Sequence, residues 1–205
     1  MTCGQQEINS MPPRQSLSRL NWTKHVLISL GLLFLTLSTR SQQLQEYEAR
    51  ALLVYNFVKS TSWPEGSFAE RHSPIVIGIV GNQDLVNAFQ KFQGKLIKGR
   101  PLEFEKFEHM TDFQSGHLLY ISGEWSASSK FFIDSLRKSR KPILTVGEDL
   151  NFVINGGMIS IIREDKHLAL LTNPNEAKSA GLFLSNNLVK LSKQVSTLKE
   201  TEQRY

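Results

Sequence analysis

Three short apolar runs constrain the fold of this chain more than any other feature of its sequence. They are IVIGIV at Ile75–Val80, LLYIS at Leu118–Ser122 and ILTV at Ile143–Val146. Each run is almost continuous and too short for an independent helix, which is typical of a strand that is covered on both faces. Because stretches with helical spacing separate the runs, the sequence predicts a parallel sheet with helices on both faces.

The stretches between the runs differ in their periodicity. Asp84–Phe92 carries apolar residues at helical intervals, and Ser126–Ser139 does the same with a predicted apolar stripe. Leu102–Phe107, with the sequence LEFEKF, instead alternates apolar and charged residues, which predicts an edge strand with one wet face. The stripe of the second helix consists of Phe131, Phe132 and Leu136.

A hairpin is predicted after the third run. Two glycines precede MISIIR at Met158–Arg163, and a polar turn leads from there into HLALLT at His167–Thr172. Apolar runs joined by a short polar turn are typical of antiparallel strands. We therefore expect an α/β fold with a mostly parallel, Rossmann-like sheet covered by helices and an antiparallel hairpin added near the C-terminus.

The sequence after the hairpin predicts more helix. Asn173 is a favourable N-cap, Pro174 suits the first helical position, and Glu176 stands three residues after the cap. Apolar or small residues then recur at helical spacing from residue 177 to residue 198. We expect a helix pair that lies on the sheet rather than a coiled-coil seam, and Gly181 favours a break or a close backbone approach.

The stretch Glu46–Pro64 predicts a buried helix ahead of the first strand. Its large apolar side chains point in nearly every direction at about 100° per residue, so the helix should be covered on several sides. Leaving one of these side chains in water would cost roughly 1.5 to 3 kcal/mol. Trp63 and Pro64 are expected to end the helix, because the residue before a proline disfavours helical geometry.

A secretory signal pattern precedes this helix. Arg14, Arg19 and Lys24 stand before the apolar run Val26–Leu37, and small polar residues follow the run, as in secretory signal peptides. The run is shorter than the roughly 20 residues of a membrane-spanning helix, so cleavage near Ser41 is favoured over a retained anchor. We expect a signal peptide at residues 1–41, the α/β domain at residues 42–195 and a polar tail at residues 196–205.

Cleavage would change the charge and the cysteine content. The full chain has a formal net charge of +5, but four basic residues and one acidic residue lie in the leader, which leaves +2. No clustered basic face with interleaved aromatic residues remains, so no nucleic-acid partner is expected. The one cysteine, Cys3, also lies in the leader. The mature chain is therefore expected to have neither a disulfide nor thiolate chemistry.

Small and polar residues follow the predicted strands at their carboxyl ends, where open parallel sheets bind ligands. GIVGN lacks the spacing of nucleotide-binding loops, no GxSxG elbow is present, and no histidine has metal-ligand spacing. We predict no catalytic set and no cofactor, and we expect His117 to be a hydrogen-bonded residue at a strand boundary. The candidate ligand crevice consists of Gly81, Asn82, Ser122, Gly123, Gly147 and Glu148.

The predicted helices carry more apolar residues than one sheet face covers. Some of these side chains are expected to form an exposed apolar patch, and such patches usually mark a partner site. We therefore expect this patch to bind a partner protein or a second copy of the chain. The candidate partner or dimer surface consists of Tyr47, Val54, Trp63, Leu188 and Leu191.

Three stretches resemble the YfiR-like family, also called DUF4154. ARALLVYNFVKSTSWP resembles its opening helix, GGMISIIREDKHLALLTN its glycine-led hairpin and AGLFLSNNLVKLS its closing helix. The resemblance covers about Glu46–Ser192. It implies a periplasmic α/β domain, often dimeric, whose best-known member restrains an inner-membrane diguanylate cyclase by binding its periplasmic sensor region.

The resemblance implies a non-enzymatic regulatory protein, although two features depart from the family. The mature chain lacks cysteine, so redox control through disulfides does not carry over. Leu170–Asn173 reads LLTN, where the family commonly has phenylalanine, glutamate, isoleucine and asparagine. Two alternatives remain open, namely a small-ligand sensor that uses the strand-end crevice and an enzyme with an unrecognised site.

Overall fold

The computed structural model describes residues 17–126, 128–165 and 167–194. The chain divides into two compact units, residues 1–43 and residues 44–205. Residues 1–16 of the predicted signal peptide and the whole predicted polar tail lie outside the described residues. Within the described part of the chain, no helix combines the length and the apolar run that a membrane span requires.

The described elements are a large mixed sheet, a two-stranded ribbon, a long helix that begins in the first unit, and several shorter helices. The strands are β1 (Thr61–Ser62), β2 (Ile75–Val80), β3 (Leu96–Ile97), β4 (Arg100–Phe107), β5 (Leu118–Ile121), β6 (Leu144–Gly147), β7 (Ile159–Glu164), β8 (His167–Thr172), β9 (Phe183–Leu184) and β10 (Lys193–Gln194). The helices are α1 (Leu17–Ser60), α2 (Gln83–Gln90), α3 (Gly123–Ser126), α4 (Lys130–Ser139), α5 (Leu150–Ile154), α6 (Pro174–Ser179) and α7 (Asn186–Lys190), with a 3-10 turn at Met110–Asp112.

The large sheet is doubly wound. Its strand order is β10-β8-β7-β6-β5-β2-β4-β3. The five neighbouring strands β7, β6, β5, β2 and β4 are parallel to one another. Because β2 pairs with β4 on one side and β5 on the other, the chain changes direction between β2 and β5, which is the switch point of the sheet. β8 joins β7 as an antiparallel hairpin. The predicted fold class is confirmed.

Alternating side chains build one apolar layer on each face of the sheet. In β5, Leu118 and Tyr120 belong to the core cluster that also contains residues of α1 and α2, whereas Leu119 and Ile121 pack with α4 and α5. All four side chains are fully buried. The short run LLYI therefore supplies both cores, which explains its continuous apolar sequence.

Helix α1 packs one face on the sheet and leaves another in solvent. Val54 and Phe57 are buried, but Leu52 is 50% exposed, so the expectation of a helix covered on several sides is wrong for that face. The helix ends at Ser60, earlier than the predicted end at Trp63 and Pro64, because Thr61–Ser62 forms β1 and pairs with β9.

The structure tests two predictions at β4 and α4. β3 pairs only with Arg100 and Pro101, so the predicted edge strand Leu102–Phe107 has no outer strand among those described, and β3 covers only the start of β4. Phe131 is 86% exposed, and Ile133 is the buried residue of α4. Residues two positions apart lie on nearly opposite sides of a helix, so the predicted stripe began on the wrong face.

The C-terminal segment contains a helix pair with a break at Gly181, as predicted, but both helices are short and a strand separates them. Asn173 does cap α6, accepting a hydrogen bond from the backbone of Glu176 at 3.3 Å, but the helix stops before Gly181, whose φ is +78°. The chain then forms β9, the five-residue helix α7 and β10, which runs parallel to β8. Backbone pairing with two other strands therefore replaces a continuous helix.

Candidate functional site

The structure brings the residues of the candidate ligand crevice to one edge of the sheet. Gly81 and Asn82 follow β2, Ser122 and Gly123 follow β5, and β6 ends where Glu148 begins. A Cβ atom placed on Gly81 would lie 3.2 Å from that of Ser122, and one on Gly123 would lie 3.2 Å from a carboxylate oxygen of Glu148. The crevice residues are therefore in close contact around the switch point.

Side chains from α1 occupy this edge. Asn82 caps α2 by accepting from the backbone of Leu85 at 3.0 Å, and its Nδ2 donates to the hydroxyl of Tyr47 at 2.7 Å. Arg50 Nη1 lies 2.6 Å from Oε2 of Glu148. Both contacts join the end of a strand to the first helix, which closes the crevice from the α1 side.

Arg50 is the centre of a chain of charged groups that we call the carboxyl-edge network. Its Nη2 donates to Glu46 at 2.5 Å, and the second carboxylate oxygen of Glu46 lies 2.8 Å from Arg163 on β7. Tyr120 donates its hydroxyl hydrogen to Glu148. The network consists of Arg163, Glu46, Arg50, Glu148 and Tyr120, and it ties α1 to β5, β7 and the end of β6.

Burial sets the protonation of the network. Burial lowers the pKa of Arg50, but the neighbouring Tyr120, the charge of Glu148 and the hydrogen bond to Glu46 outweigh it, so the pKa lies above its usual value. Burial raises the pKa of Tyr120 well above its ordinary value, so the phenol keeps the proton that it donates. Burial also raises the pKa of Glu148, and Arg50 opposes that rise. Arg50 is the compensating charge of this buried carboxyl.

Two further polar residues, Asp149 and Ser122, lie beside the network. Asp149 caps α5 by accepting from Asn151 at 2.7 Å, and Ser122 Oγ makes no hydrogen bond within the described residues, so no base activates it. In the same part of the chain, no group of three or more histidine, cysteine, aspartate or glutamate residues is placed to hold a metal ion.

The candidate partner surface is only partly exposed. Val54 and Leu188 are buried in the core, so that part of the prediction is wrong. Tyr47 and Trp63 are half-buried and pack against the same core, while Leu191 is 80% exposed. The buried pair was misassigned because the sheet face covers more of α1 and α7 than the helical pattern indicated.

The amino ends of the strands carry an aromatic and cationic cluster. His117 accepts from the backbone of Val76 through Nδ1 and bonds the carbonyl of Ser67 through Nε2, both at 3.0 Å, as expected of a boundary histidine. Its ring stacks on Phe68 with centroids 4.4 Å apart, and Trp63 Nε1 donates to the His117 carbonyl at 3.2 Å. Burial lowers the pKa of His117.

Sequence reasoning missed Arg50 and Tyr120. The hydropathy pattern predicts an apolar helix around Arg50 and an apolar strand around Tyr120. A signal was present, because an arginine inside a helix predicted to be buried must find a counter-charge, and Glu148 is an acid at a strand end. Only the topology shows that the two meet.

These features define a class of protein: a doubly wound α/β domain whose switch-point crevice is closed by its own side chains. The chain belongs to the YfiR/HmsC-like family, whose sequence model matches residues 47–193. The resemblance found in the sequence is thereby confirmed.

Two solved structures are similar to this chain at low identity. A conserved domain protein from Vibrio cholerae is similar with a TM-score of 0.50 and 12% identity, over 72% of this chain and 59% of that chain. The chain thus corresponds to about three fifths of that protein. The ABC domain from Streptococcus pneumoniae, solved in complex with L-Trp, gives a TM-score of 0.45 and 13% identity over 58% of this chain and 54% of that chain. No curated protein matches the sequence.

Proposed function

We propose that this protein is a non-enzymatic regulatory protein of the periplasm that binds, as a homodimer, the periplasmic region of an inner-membrane protein. A diguanylate cyclase is the first candidate partner, because the YfiR-like family is known for periplasmic regulation of such an enzyme. Another membrane receptor is the second. The proposal needs a binding surface and no catalytic residues.

The observation that carries the proposal is the closed crevice. Open parallel sheets bind their substrates at the switch point, and here Tyr47 and Arg50 reach Asn82 and Glu148 at that place. Opening the crevice would require Tyr47 and Arg50 to release Asn82 and Glu148. A domain sealed in this way acts through its outer surface.

Leu191 is the member of the predicted surface that a partner would cover. It lies between α7 and β10 at one end of the large sheet and is 80% exposed. Burying one leucine side chain contributes roughly 1.5 to 3 kcal/mol to association. A charge at this position would remove that contribution and oppose contact with an apolar partner.

The test is co-purification of the tagged full chain from membranes. The Leu191→Glu variant is expected to lose most of the captured inner-membrane protein. Leu96→Glu is the matched control, because Leu96 is 67% exposed on β3 at the opposite edge of the same sheet. Sedimentation of all three proteins reports whether the same surface also forms the homodimer.

Three outcomes would contradict the proposal. The first is that the wild-type chain captures no membrane protein with a periplasmic region. The second is a turnover activity that Glu148→Gln abolishes, which would favour the enzyme hypothesis. The third is retention of a small molecule in the crevice of Gly81 and Ser122, which would favour the sensor hypothesis.

A further inference from the structure

A cleft of about 190 Å³ lies at the amino edge of the sheet, where α1 ends and the turn between β3 and β4 begins. It is separate from the closed crevice, which lies at the carboxyl ends of the strands. Its apolar lining includes the aromatic rings of Trp63 and Phe68 and the aliphatic side chains of Val58, Ile75 and Ile97. Its polar lining includes two cations, Lys98 and Arg100.

Arg100 is held in place without a counter-charge. Its guanidinium carbon lies 3.7 Å from the centre of the Phe68 ring, and its Nη1 donates to the carbonyls of Glu70 and Ser73 at 2.8 and 3.0 Å. Within the described residues, no hydrogen bond uses its Nε or Nη2 donors, and no carboxylate lies within 4.0 Å. Three N–H donors of a fixed, charged fork are therefore available, and such forks suit carboxylates.

Lys98, two residues before Arg100, is held in a similar way. Its Nζ donates to the carbonyl of Thr61 at 3.1 Å and lies 3.4 Å from the hydroxyl of Ser62. Among the residues described, it also has no carboxylate within 4.0 Å. The positive charge of Arg100 acts on its surroundings, since after the larger effect of burial it further lowers the pKa of His117.

The backbone at Lys98 is strained. Lys98 and Gly99 form the two-residue turn between β3 and β4 and have φ values of 51° and 80°. Turns of this kind favour Asn-Gly, because both residues need positive φ, and another L-residue there costs about 1 kcal/mol. Strain of this kind is concentrated at functional sites, and here it places a lysine at the cleft.

We propose that this cleft binds a small organic anion, with a single ring or a branched apolar body against Trp63 and Phe68 and a carboxylate against Lys98 and Arg100. The size fits this class, because a cavity of about 150 Å³ accepts benzene. A nucleotide is too large for the cleft. The proposal does not depend on the membrane partner.

Calorimetric titration of the full chain with phenylacetate tests this site. Phenylacetate is expected to bind, and phenylacetamide, which has the same shape without the charge, is expected to bind at least tenfold more weakly. Lys98→Gln and Arg100→Gln should each weaken phenylacetate binding at least tenfold. Lys95→Gln is the matched control, because it removes a nearby exposed lysine that does not line the cleft, and it should leave the affinity unchanged.

Circular dichroism of each variant separates loss of binding from loss of fold. If Arg100→Gln unfolds, Lys98→Gln alone decides, because Lys98 is exposed and its side chain is not part of the core. The proposal is overturned if phenylacetate does not bind, if the amide binds equally well, or if Lys98→Gln binds with wild-type affinity.

Discussion

The two edges of the parallel sheet balance their charges in different ways. At the carboxyl edge, Arg50 is almost fully buried and lies against Glu46 and Glu148, so its positive charge is compensated by the negative charges of the carboxylates. At the amino edge, Lys98 and Arg100 are held by carbonyl oxygens and an aromatic ring. Carbonyl groups orient a cation but do not cancel its charge. One edge is therefore closed by its own residues, and the other keeps the capacity to attract an anion.

The largest expected effect is at the closed edge. Arg50→Met keeps most of the apolar stem but leaves Glu148 buried without its partner, which should lower the free energy of unfolding by about 3 to 5 kcal/mol. Chemical denaturation measures the loss. The double variant Arg50→Met with Glu148→Leu should recover part of it, because both charges are then absent.

Lys91→Met is the control for this prediction. Lys91 pairs with Glu48 at 2.5 Å, but both side chains are largely exposed, so the change should cost at most about 1 kcal/mol. Equal losses in Arg50→Met and Lys91→Met would show that the carboxyl-edge network does not stabilise the domain more than an exposed ion pair does.

A smaller effect is expected at the amino edge when the pH changes. Burial is the main cause of the lowered pKa of His117, so in acid the unfolded chain takes up a proton that the folded chain resists. Stability is therefore complete above the unfolded-state pKa of about 6.5 and falls as the pH drops below it. Protonation would also remove the Nδ1 acceptor of the Val76 amide.

Denaturation at a series of pH values checks this sign. The difference in unfolding free energy between wild type and His117→Gln should shrink as the pH falls from 7 to 5. His109→Gln, which changes an exposed histidine outside this contact, is the control. A His117→Gln variant with the full wild-type acid sensitivity would assign that sensitivity to other groups.

The smallest expected effect is at the turn. Lys98→Asn should raise the free energy of unfolding by roughly 0.5 kcal/mol, because asparagine tolerates a left-handed conformation better than lysine does. The same variant should bind phenylacetate less well. A gain in stability together with a loss of binding would show that the strain serves the anion site, whereas a loss of stability would show that the Lys98 contact to Thr61 outweighs the strain.

The sequence predicted what depends on local pattern. The three apolar runs became β2, β5 and β6, and the polar turn between Arg163 and His167 became the hairpin of β7 and β8. Period and length decide such elements. The C-terminal segment followed helical spacing just as closely, but the pairing of Phe183–Leu184 with β1 replaced the helix, because long-range backbone pairing is invisible in a local pattern.

The candidate sites were less predictable for the same reason. Strand ends placed Ser122 and Glu148 at one edge, as parallel topology requires. The partner of Glu148 is almost a hundred residues away in the sequence, at Arg50, and the cleft joins the end of α1 to a turn that reads as an ordinary basic loop. Contacts between distant segments depend on side-chain direction and depth, which composition and spacing do not specify.

The ribbon of β1 and β9 determines when the domain can be completed. It pairs Thr61 with Leu184, and the amide of Ser185 donates to the carbonyl of Ser60 at 2.8 Å. The strand after the first helix can pair only when residues more than a hundred positions later in the sequence have been synthesised. Closing so long a loop is slow. Until that segment is synthesised, a nascent chain cannot form the ribbon that follows α1.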